Sequence, residues 1–379
     1  MKTLYHSFII LFLLLITSCI AQFEPVINEE KQLLVVQGLI TDQPGNCFVR
    51  LSKSLPVVMK SEARPLSKCI VTLSDDNGSS VIMSETLPGT YIPPLTFQGS
   101  IGHSYTLHVN TNAGFYSVNY ESVPVLMKPV PPIDSIYYVK TVIEKPSEFF
   151  KGINGCQIYL NTHDPENKCK YYRWEFSETW ALRLNFDVPN HNCWISNNSK
   201  NIFIQSTATL SDDVIKSLPI TYITNATDRL KTKYSILVKQ YSMNEEEYYY
   251  WDKLQRLVEQ TGGLYDLVPA SIPSNLWCVE SPEEKVLGYF SVSAVSSKRI
   301  FIKDNFEGII DPYSDCVSST LIGGPDYIEG LGVSVWTLFD TPPIPFSSPR
   351  FRVFTTTRGC ADCTVRGTNI KPLFWVDDK

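Results

Sequence analysis

Two cysteines near the C-terminus have a spacing at which cysteine does chemistry. Cys360-Ala361-Asp362-Cys363 is a CxxC motif, which in a reducing compartment is redox-active or supplies half of a zinc site. The chain has no second CxxC, and its strand-rich pattern is not thioredoxin-like. The motif therefore predicts a structural disulfide, with Cys316 as the partner of one of its two cysteines.

Two further pairs of cysteines are candidates for disulfides. Cys193 and Cys278 each stand beside a tryptophan, and a bridge between them is one interpretation. Cys156 and Cys169 flank a predicted hairpin. The centre of that hairpin places Cys169 out of register with Cys156, so we doubt a bridge, which needs Cα atoms within about 7 Å.

The histidines outside the N-terminal segment do not form a metal site in the sequence. None belongs to an HExxH motif or another close metal pair, and they are His103, His108, His163 and His191. We predict surface or packing roles for them, and we expect no metal and no cofactor.

Neighbouring carboxylates do not indicate catalysis either. Asp75-Asp76 lies in a predicted turn and Glu245–Glu247 at a predicted helix start, where carboxylates cap the backbone and remain solvated. The sequence contains neither a GxSxG elbow nor a Walker loop. We therefore predict no catalytic residues and no enzymatic activity; a hydrolase with an unrecognised site is the minor alternative.

The first nineteen residues have the pattern of a secretory signal. A lysine follows the initial methionine, Phe8–Ile16 is almost wholly apolar, and small residues precede Cys19. Because cysteine at the cut site is typical of bacterial lipoproteins, we predict a signal peptide over 1–18, lipidation of Cys19 and a tether over 19–30. A plain signal cleaved near Ala21-Gln22 is the alternative, and the apolar run is shorter than the ~20 residues that span a bilayer.

Composition and charge limit the compartment and the partners. The formal net charge is −6, from 39 acidic and 33 basic residues, so the chain lacks the basic surface that nucleic-acid binding requires. An exported protein with ten cysteines is expected to form disulfides. Residue 20 is Ile rather than Asp, which favours sorting to the outer membrane; whether the protein faces the cell surface or the periplasm stays open.

Residues 31–123 predict an immunoglobulin-like β-sandwich. Short runs rich in Val, Ile, Thr and Tyr alternate between two faces, and turns such as Asp75–Gly78 separate them. Cys47 and Cys69 each fall on an apolar face of a predicted strand. They form either a buried disulfide or two buried thiols.

A proline-rich linker separates this domain from a larger second one. Residues 124–132 contain four prolines and are expected to be stiff. Residues 133–379 then predict a larger β-sandwich, so that the whole chain belongs to the all-β class with one inserted α-helix. The main strand candidates of the second domain are Tyr172–Ser177, Tyr234–Tyr241, Gly288–Ile302, Val333–Phe339 and Phe351–Thr357.

The helix is predicted at about 243–261. Ser242 and Glu245 have the spacing of a capping box, Trp251 begins an apolar helical repeat, and Gly262-Gly263 ends it. We expect it to pack on a sheet edge; a partner-binding helix is the alternative. Residues 304–350 are expected to form long loops.

Aromatic residues make up 12% of the chain, which raises the alternative of a glycan-binding platform. Trp174 argues against it, because it alternates with Tyr172 and Phe176 on the face that we expect to be buried.

Several stretches together resemble the Bacteroidota lipoprotein family defined by domain of unknown function 4249 (DUF4249). They are Val36–Asp42, Val49–Ser52, Pro88–Tyr91, Tyr171–Trp174, Tyr234–Tyr241, Val286–Phe290, Cys360–Gly367, Lys371-Pro372 and Phe374-Trp375. Members of that family often carry a second glycine where this chain has Thr368. The resemblance implies an outer-membrane lipoprotein with an N-terminal immunoglobulin-like domain, and it implies no catalytic residues.

The resemblance also implies work beside a TonB-dependent outer-membrane transporter. The expected function is therefore a non-enzymatic accessory or ligand-binding partner of such a transporter, held at the membrane by the N-terminal lipid. A surface adhesin or a structural protein of the cell envelope is the alternative.

Overall fold

The structure is a computed structural model of the chain. It describes residues 32–54, 64–113, 116–143, 153–260, 272–322, 336–340, 351–355 and 357–377. The predicted signal peptide, Cys19 and the tether lie outside these residues. Strands dominate the part of the chain that is described, as the sequence predicts.

The first nine strands precede the second sandwich. They are β1 (Leu34–Thr41), β2 (Phe48–Lys53), β3 (Arg64–Pro65), β4 (Ile70–Asp75), β5 (Ser80–Leu87), β6 (Thr90–Ile92), β7 (Ser104–Ala113), β8 (Tyr116–Ser122) and β9 (Val125–Leu126).

The remaining elements follow in chain order. They are β10 (Ile133–Ile143), β11 (Ile153–His163), β12 (Tyr171–Arg183), β13 (Asn192–Asn198), β14 (Phe203–Ser206), β15 (Val214–Thr224), β16 (Tyr234–Ser242), α1 (Glu245–Gln260), β17 (Leu276–Cys278), β18 (Leu287–Ser293), β19 (Val295–Ile302), β20 (Ser319–Ile322), β21 (Trp336–Asp340), β22 (Phe351–Thr355) and α2 (Arg358–Ala361).

The N-terminal sandwich is one continuous sheet of eleven strands folded around one core. The strand order is β17-β8-β7-β4-β5-β6-β2-β1-β18, with β3 paired to β2 and β9 to β7. The alternation predicted for these strands is observed, because Val36, Val49, Val71 and Leu107 are fully buried in that core. The predicted Asn-Gly hairpin turn joins β4 to β5, and Gly78 has the positive φ of 83° that such turns require.

The last strands of this sheet come from late in the chain, which differs from the predicted division at residues 31–123 and 133–379. β17 pairs with β8, and β18 runs parallel to β1. The predicted strand Gly288–Ile302 is therefore two strands in two different sheets, and Ala294 joins them. The chain therefore passes from the N-terminal sandwich to the second sandwich twice, first along the linker and again at Ala294.

Gly288 makes the pairing of β1 with β18 possible. Its φ is +86°, and a Cβ at this position would lie 1.9 Å from the carbonyl oxygen of Val36. A side chain would be both conformationally strained and in collision with the neighbouring strand. Only glycine therefore fits where β18 begins.

The second sandwich has two sheets of the order β10-β11-β15 and β13-β12-β16-β19, with β14 also paired to β12. Tyr172 and Trp174 are buried in its core as predicted, while Phe176 is half-buried against it. The indole Nε1 of Trp174 donates to Gln240 Oε1 at 2.9 Å, which satisfies the polar atom of a buried ring. Trp174 is therefore not part of an exposed aromatic platform.

A fourth sheet, of three strands, has the order β20-β22-β21. It confirms the strand Phe351–Thr355 and most of the strand predicted at Val333–Phe339, of which 333–335 lie outside the described residues. β20 is a short strand, which the sequence did not indicate, within the range 304–350, where long loops with little regular structure are predicted.

The helix is where the sequence predicts it, but the capping box is wrong. α1 begins at Glu245, and the Asn244 carbonyl accepts the first helical hydrogen bond, from Tyr248 N at 3.0 Å. Ser242 is the last residue of β16. Its hydroxyl donates to Lys128 O at 2.7 Å and accepts from Ala294 N at 3.0 Å. Ser242 therefore connects the linker to Ala294, the two places where the chain passes between the sandwiches, and does not cap the helix.

Two disulfides fix the C-terminal segment to the second sandwich. Cys316 pairs with Cys360 over a Cα–Cα distance of 5.7 Å, as the sequence suggests for one cysteine of the CxxC motif. Cys363 pairs with Cys193 over 5.8 Å. The proposed bridge between Cys193 and Cys278 is wrong, because Cys278 lies on β17 in the N-terminal sheet.

Cys47 and Cys69 are thiols rather than a disulfide. The Cys47 sulfur lies 3.3 Å from the backbone N of Thr41, whereas the Cys69 sulfur points to the carbonyl of Leu66. Burial raises the pKa of both thiols, which keeps them protonated and unreactive. Cys156 and Cys169 are also buried thiols, as the register argument predicts.

Candidate functional site

The two sandwiches meet at the residues that follow β1 and β18. The backbone N of Val295 donates to Asp42 Oδ1 at 2.9 Å, and Gln43 Nε2 donates back to Val295 O at 2.9 Å. Burial raises the pKa of Asp42, while the Val295 amide opposes this shift. A small apolar cluster covers these bonds and consists of Leu39, Tyr241 and Val295 with Phe48 packed against it.

The proline-rich linker is fixed at the same junction. Gln240 Nε2 donates to Pro131 O at 2.9 Å, and Asn244 Nδ2 donates to Leu126 O at 3.0 Å. These side-chain bonds attach the linker to the end of β16 and the start of α1. They fix the path of the linker at the junction.

A buried carboxylate anchors α1 to this junction. Glu247 is 0% exposed, and Trp251 Nε1 donates to its Oε1 at 3.1 Å. Within the described ranges its Oε2 makes no hydrogen bond of standard geometry, although the Ser291 hydroxyl is close enough to favour the charged form. Burial raises the pKa of Glu247, and the positive charge of Arg173 partly opposes that shift.

Arg173 is the cation that faces Glu247 from β12. Its guanidinium lies 4.5 Å from the Tyr241 ring centroid and 5.0 Å from that of Trp251, and it donates to Glu175 Oε1. Stacking on two aromatic faces stabilises a desolvated guanidinium. The helix is thereby attached to the second sandwich through charge and aromatic contact.

The burial of Glu247 corrects the expectation for the three glutamates at the helix start. Glu245 and Glu246 are exposed as predicted, whereas Glu247 faces inward. The signal in the sequence is its spacing from Trp251, because residues four apart lie on the same helix face. A carboxylate on the face that carries the tryptophan is therefore directed towards the sheet.

A groove of about 670 Å³ lies beside α1, between the helix, the linker and the segment before β17. Its walls are mainly apolar and aromatic, and they comprise Val123, Pro124, Val125, Leu126, Asn244, Glu246, Tyr249, Tyr250, Lys253, Ile272, Pro273, Ser274, Asn275 and Tyr289. We call it the junction groove. Concave, largely apolar surfaces of this size with a few polar groups are typical binding sites.

Tyrosines form the aromatic wall of the junction groove. The rings of Tyr250 and Tyr289 pack with centroids 4.7 Å apart, and burial raises the pKa of both phenols. Tyr249 is half-exposed at 50% and available for contact. Glu246 and Lys253 place one charge of each sign on the same helix.

The family model for DUF4249, a domain of unknown function, matches residues 20–299. The chain belongs to the DUF4249 family. The matched range includes the N-terminal sandwich, α1 and the junction groove. In this DUF4249 protein the CxxC segment, one of the stretches that resemble the family in sequence, lies beyond the matched range. No curated protein matches the chain.

The histidines of this DUF4249 protein are dispersed. Each contacts a different neighbour: His103 Asp76, His108 Ser74, His163 Asp134 and His191 the Val188 carbonyl. Over the ranges that the structure describes, no group of three His, Cys, Asp or Glu side chains could hold a metal ion. Within the same ranges, no helix is long and apolar enough to cross a membrane.

Asp75 and Asp76 have the turn roles that the sequence predicts. Asp75 Oδ1 accepts from the backbone N of Asn77 and Ser79, at 3.0 and 2.8 Å. Asp76 binds His103 and the backbone N of Ser104. These carboxylates stabilise a hairpin at the surface.

Proposed function

We propose that this DUF4249 protein is a non-enzymatic, lipid-anchored protein of the outer membrane and an accessory partner of a TonB-dependent transporter. The junction groove would hold an extended segment of that transporter. The observation that carries the proposal is the groove itself, with its tyrosines and prolines between two sandwiches joined by hydrogen bonds.

An extended peptide suits the chemistry of the groove. One wall is the extended chain of 123–126, and the other presents Tyr249 and Tyr250 from a helix. Aromatic-lined grooves bind proline-rich extended segments, because these already adopt a polyproline II helix and lose little entropy on binding. The two charges of opposite sign, on Glu246 and Lys253, would fix the direction of the bound segment.

The position of the tether is compatible with this role. β1 runs from Leu34 towards Thr41, and Thr41 lies at the junction. The chain therefore enters the sandwich at the end remote from the junction, about 25 Å away along the strand. With lipid on Cys19, the N-terminal sandwich would act as a spacer that holds the junction groove away from the membrane surface.

Site-specific photo-crosslinking in membranes tests the partner. A crosslinker in place of Tyr249 is expected to capture a TonB-dependent transporter that mass spectrometry identifies as such. The matched control replaces Ile82, which is 69% exposed on β5 outside the groove, and should not capture it. Equal capture at both positions, or no transporter at Tyr249, contradicts the proposal; capture of host or matrix material alone would favour an adhesin.

Membrane fractionation tests the anchor separately. Cys19→Ala should move the protein from the membrane to the soluble fraction, because the lipid would be absent. Unchanged membrane retention of this variant would refute lipidation at Cys19, whatever the crosslinking shows.

A further inference from the structure

A second cavity opens at the edge of the second sandwich, apart from the junction groove. It has a volume of about 470 Å³ and lies between β15 on one side and β12, β14 and the loop 199–202 on the other. The loop is fixed to β12, because Ser199 Oγ accepts from Phe176 N at 3.0 Å and Ser199 N donates to Phe176 O at 2.8 Å. We call it the edge pocket.

Two aromatic rings give the edge pocket an apolar wall. Phe176 on β12 and Phe203 on β14 pack with centroids 6.1 Å apart and ring planes inclined at 47°. Both side chains are half-buried, so part of each ring faces the cavity. Such a wall offers a π-face to a flat apolar surface of a ligand.

The carboxylate of Glu178 in the wall of the edge pocket is already paired with an arginine. Glu178 is 5% exposed, and both of its carboxylate oxygens accept from Arg229 Nη1 at 3.1 Å. Tyr234 OH donates to Glu178 Oε2 at 2.7 Å. A carboxylate satisfied in this way does not attract a cationic ligand. Lys200 adds one exposed ammonium at the opening.

Amide side chains supply hydrogen bonds around the aromatic wall. Gln157 Nε2 donates to Ile158 O and Thr221 O, both at 3.1 Å, which leaves its carbonyl oxygen as an acceptor. Asn198 and Asn201 line the opening, are exposed, and have no side-chain partner among the residues that the structure describes. Each amide offers both donors and an acceptor.

We propose that the edge pocket binds a neutral saccharide. A sugar ring combines an apolar face with a rim of hydroxyl groups, each of which donates and accepts. The edge pocket has the complementary arrangement, with Phe176 and Phe203 for the face and the amides of Gln157, Asn198 and Asn201 for the rim. Its volume is within the range of small-ligand sites. This inference goes beyond the proposed function, because it concerns a different site.

Isothermal titration of the full-length protein in a detergent without a sugar headgroup tests the inference. The probes are maltose, cellobiose, lactose, mannobiose and N,N′-diacetylchitobiose, with glucuronic acid as the anionic comparison. We expect at least one neutral disaccharide to bind with a stoichiometry of one. Phe203→Ala should weaken its binding about tenfold, the effect of losing one aromatic contact.

Two further variants separate ligand contact from folding. Asn198→Ala with Asn201→Ala removes exposed side chains, so it should weaken binding without lowering the melting temperature. Tyr249→Ala in the junction groove should leave saccharide binding unchanged. The inference is overturned if no neutral disaccharide binds, if glucuronic acid alone binds, or if binding survives both sets of edge-pocket substitutions. None of these outcomes depends on recovery of a transporter.

Discussion

Removal of the Cys193–Cys363 disulfide should destabilise the second sandwich strongly. The double variant Cys193→Ala/Cys363→Ala avoids leaving an unpaired thiol at either position. Both cysteines are almost fully buried, at 1% and 0% exposure. The variant therefore loses the covalent link together with two sulfur atoms from a packed cluster around Tyr313.

The size of the effect follows from the length of chain that the disulfide closes. The two cysteines are 170 residues apart, and the chain-entropy relation then gives about 5 kcal/mol at 25 °C. The Cys316–Cys360 bond spans 44 residues and gives about 4 kcal/mol by the same relation. Measured losses for native disulfides are about 2–5 kcal/mol, so we expect a loss of about 3–5 kcal/mol for Cys193–Cys363.

Thermal unfolding followed by circular dichroism measures this loss. For a sandwich of this size the melting temperature should fall by roughly 10 °C. Cys69→Ser is the matched control, since Cys69 is a partly exposed thiol outside any disulfide, and its melting temperature should change little. The reasoning is refuted if the double variant has the same melting temperature as the unmodified protein. It is also refuted if non-reducing peptide mapping of the unmodified protein finds Cys193 and Cys363 open to alkylation.

Two further predictions concern the buried carboxylate of α1 and the pairing of β1 with β18. Since burial raises the pKa of Glu247, its ionised form opposes folding, and stability should fall as the pH rises through the pKa of the folded state. Glu247→Gln should therefore raise the melting temperature at pH 8, with a gain of roughly 1–3 kcal/mol for removing a buried charge that Arg173, Ser291 and Trp251 only partly compensate. The gain should shrink as the pH falls towards the ordinary pKa of a glutamic acid; a variant that is less stable across this whole pH range would contradict the reasoning. Gly288→Ala should lower the stability of the N-terminal sandwich by at least about 2 kcal/mol, from the strained φ and the contact with Val36, as measured by urea unfolding. Gly359→Ala, where no atom lies within 4 Å of the added Cβ, should be nearly neutral; similar losses in both variants would disprove the steric argument.

Local patterns predicted the elements of this protein well. The alternation in 172–177 predicted the burial of Tyr172 and Trp174, and the repeat that begins at Trp251 predicted the helix. Alternation and helical spacing are properties of neighbouring residues, so they are visible in one sequence. The disulfide between Cys316 and the CxxC motif could also be predicted, because few other cysteine pairings suited that motif.

Features that depend on distant residues were not predictable. Nothing local distinguishes β18 from β19, since both are strand-forming, and only their partners β1 and β16 show that Ala294 divides two sheets. The partner of Cys193 depends on the same tertiary arrangement. Several other cysteines are candidates for pairing with Cys193, and their separation from it along the chain excludes none of them.

The interior position of Glu247 was missed for a different reason. Three successive glutamates at a helix start interact favourably with the helix dipole. That local preference explains all three equally well, so it gave no indication that Glu247 lies on the inward face of the helix. The edge pocket was missed because its wall combines Phe176 with Phe203 and with residues of β15. The aromatic face exists only once β12 and β14 are paired, and the cavity only once β15 lies opposite them.

The parallel pairing of β1 with β18 also sets an order of events during folding. Val35 and Leu287 are neighbours in the sheet although about 250 residues separate them. During synthesis, β1 has no partner on that edge until about two-thirds of the sequence has followed it. The chain between β1 and β18 must lose conformational entropy before this contact forms. We therefore expect slow folding and a strand edge that stays unpaired for long. Until β18 arrives, this open edge can pair with another chain, whereas in the finished sheet it is covered.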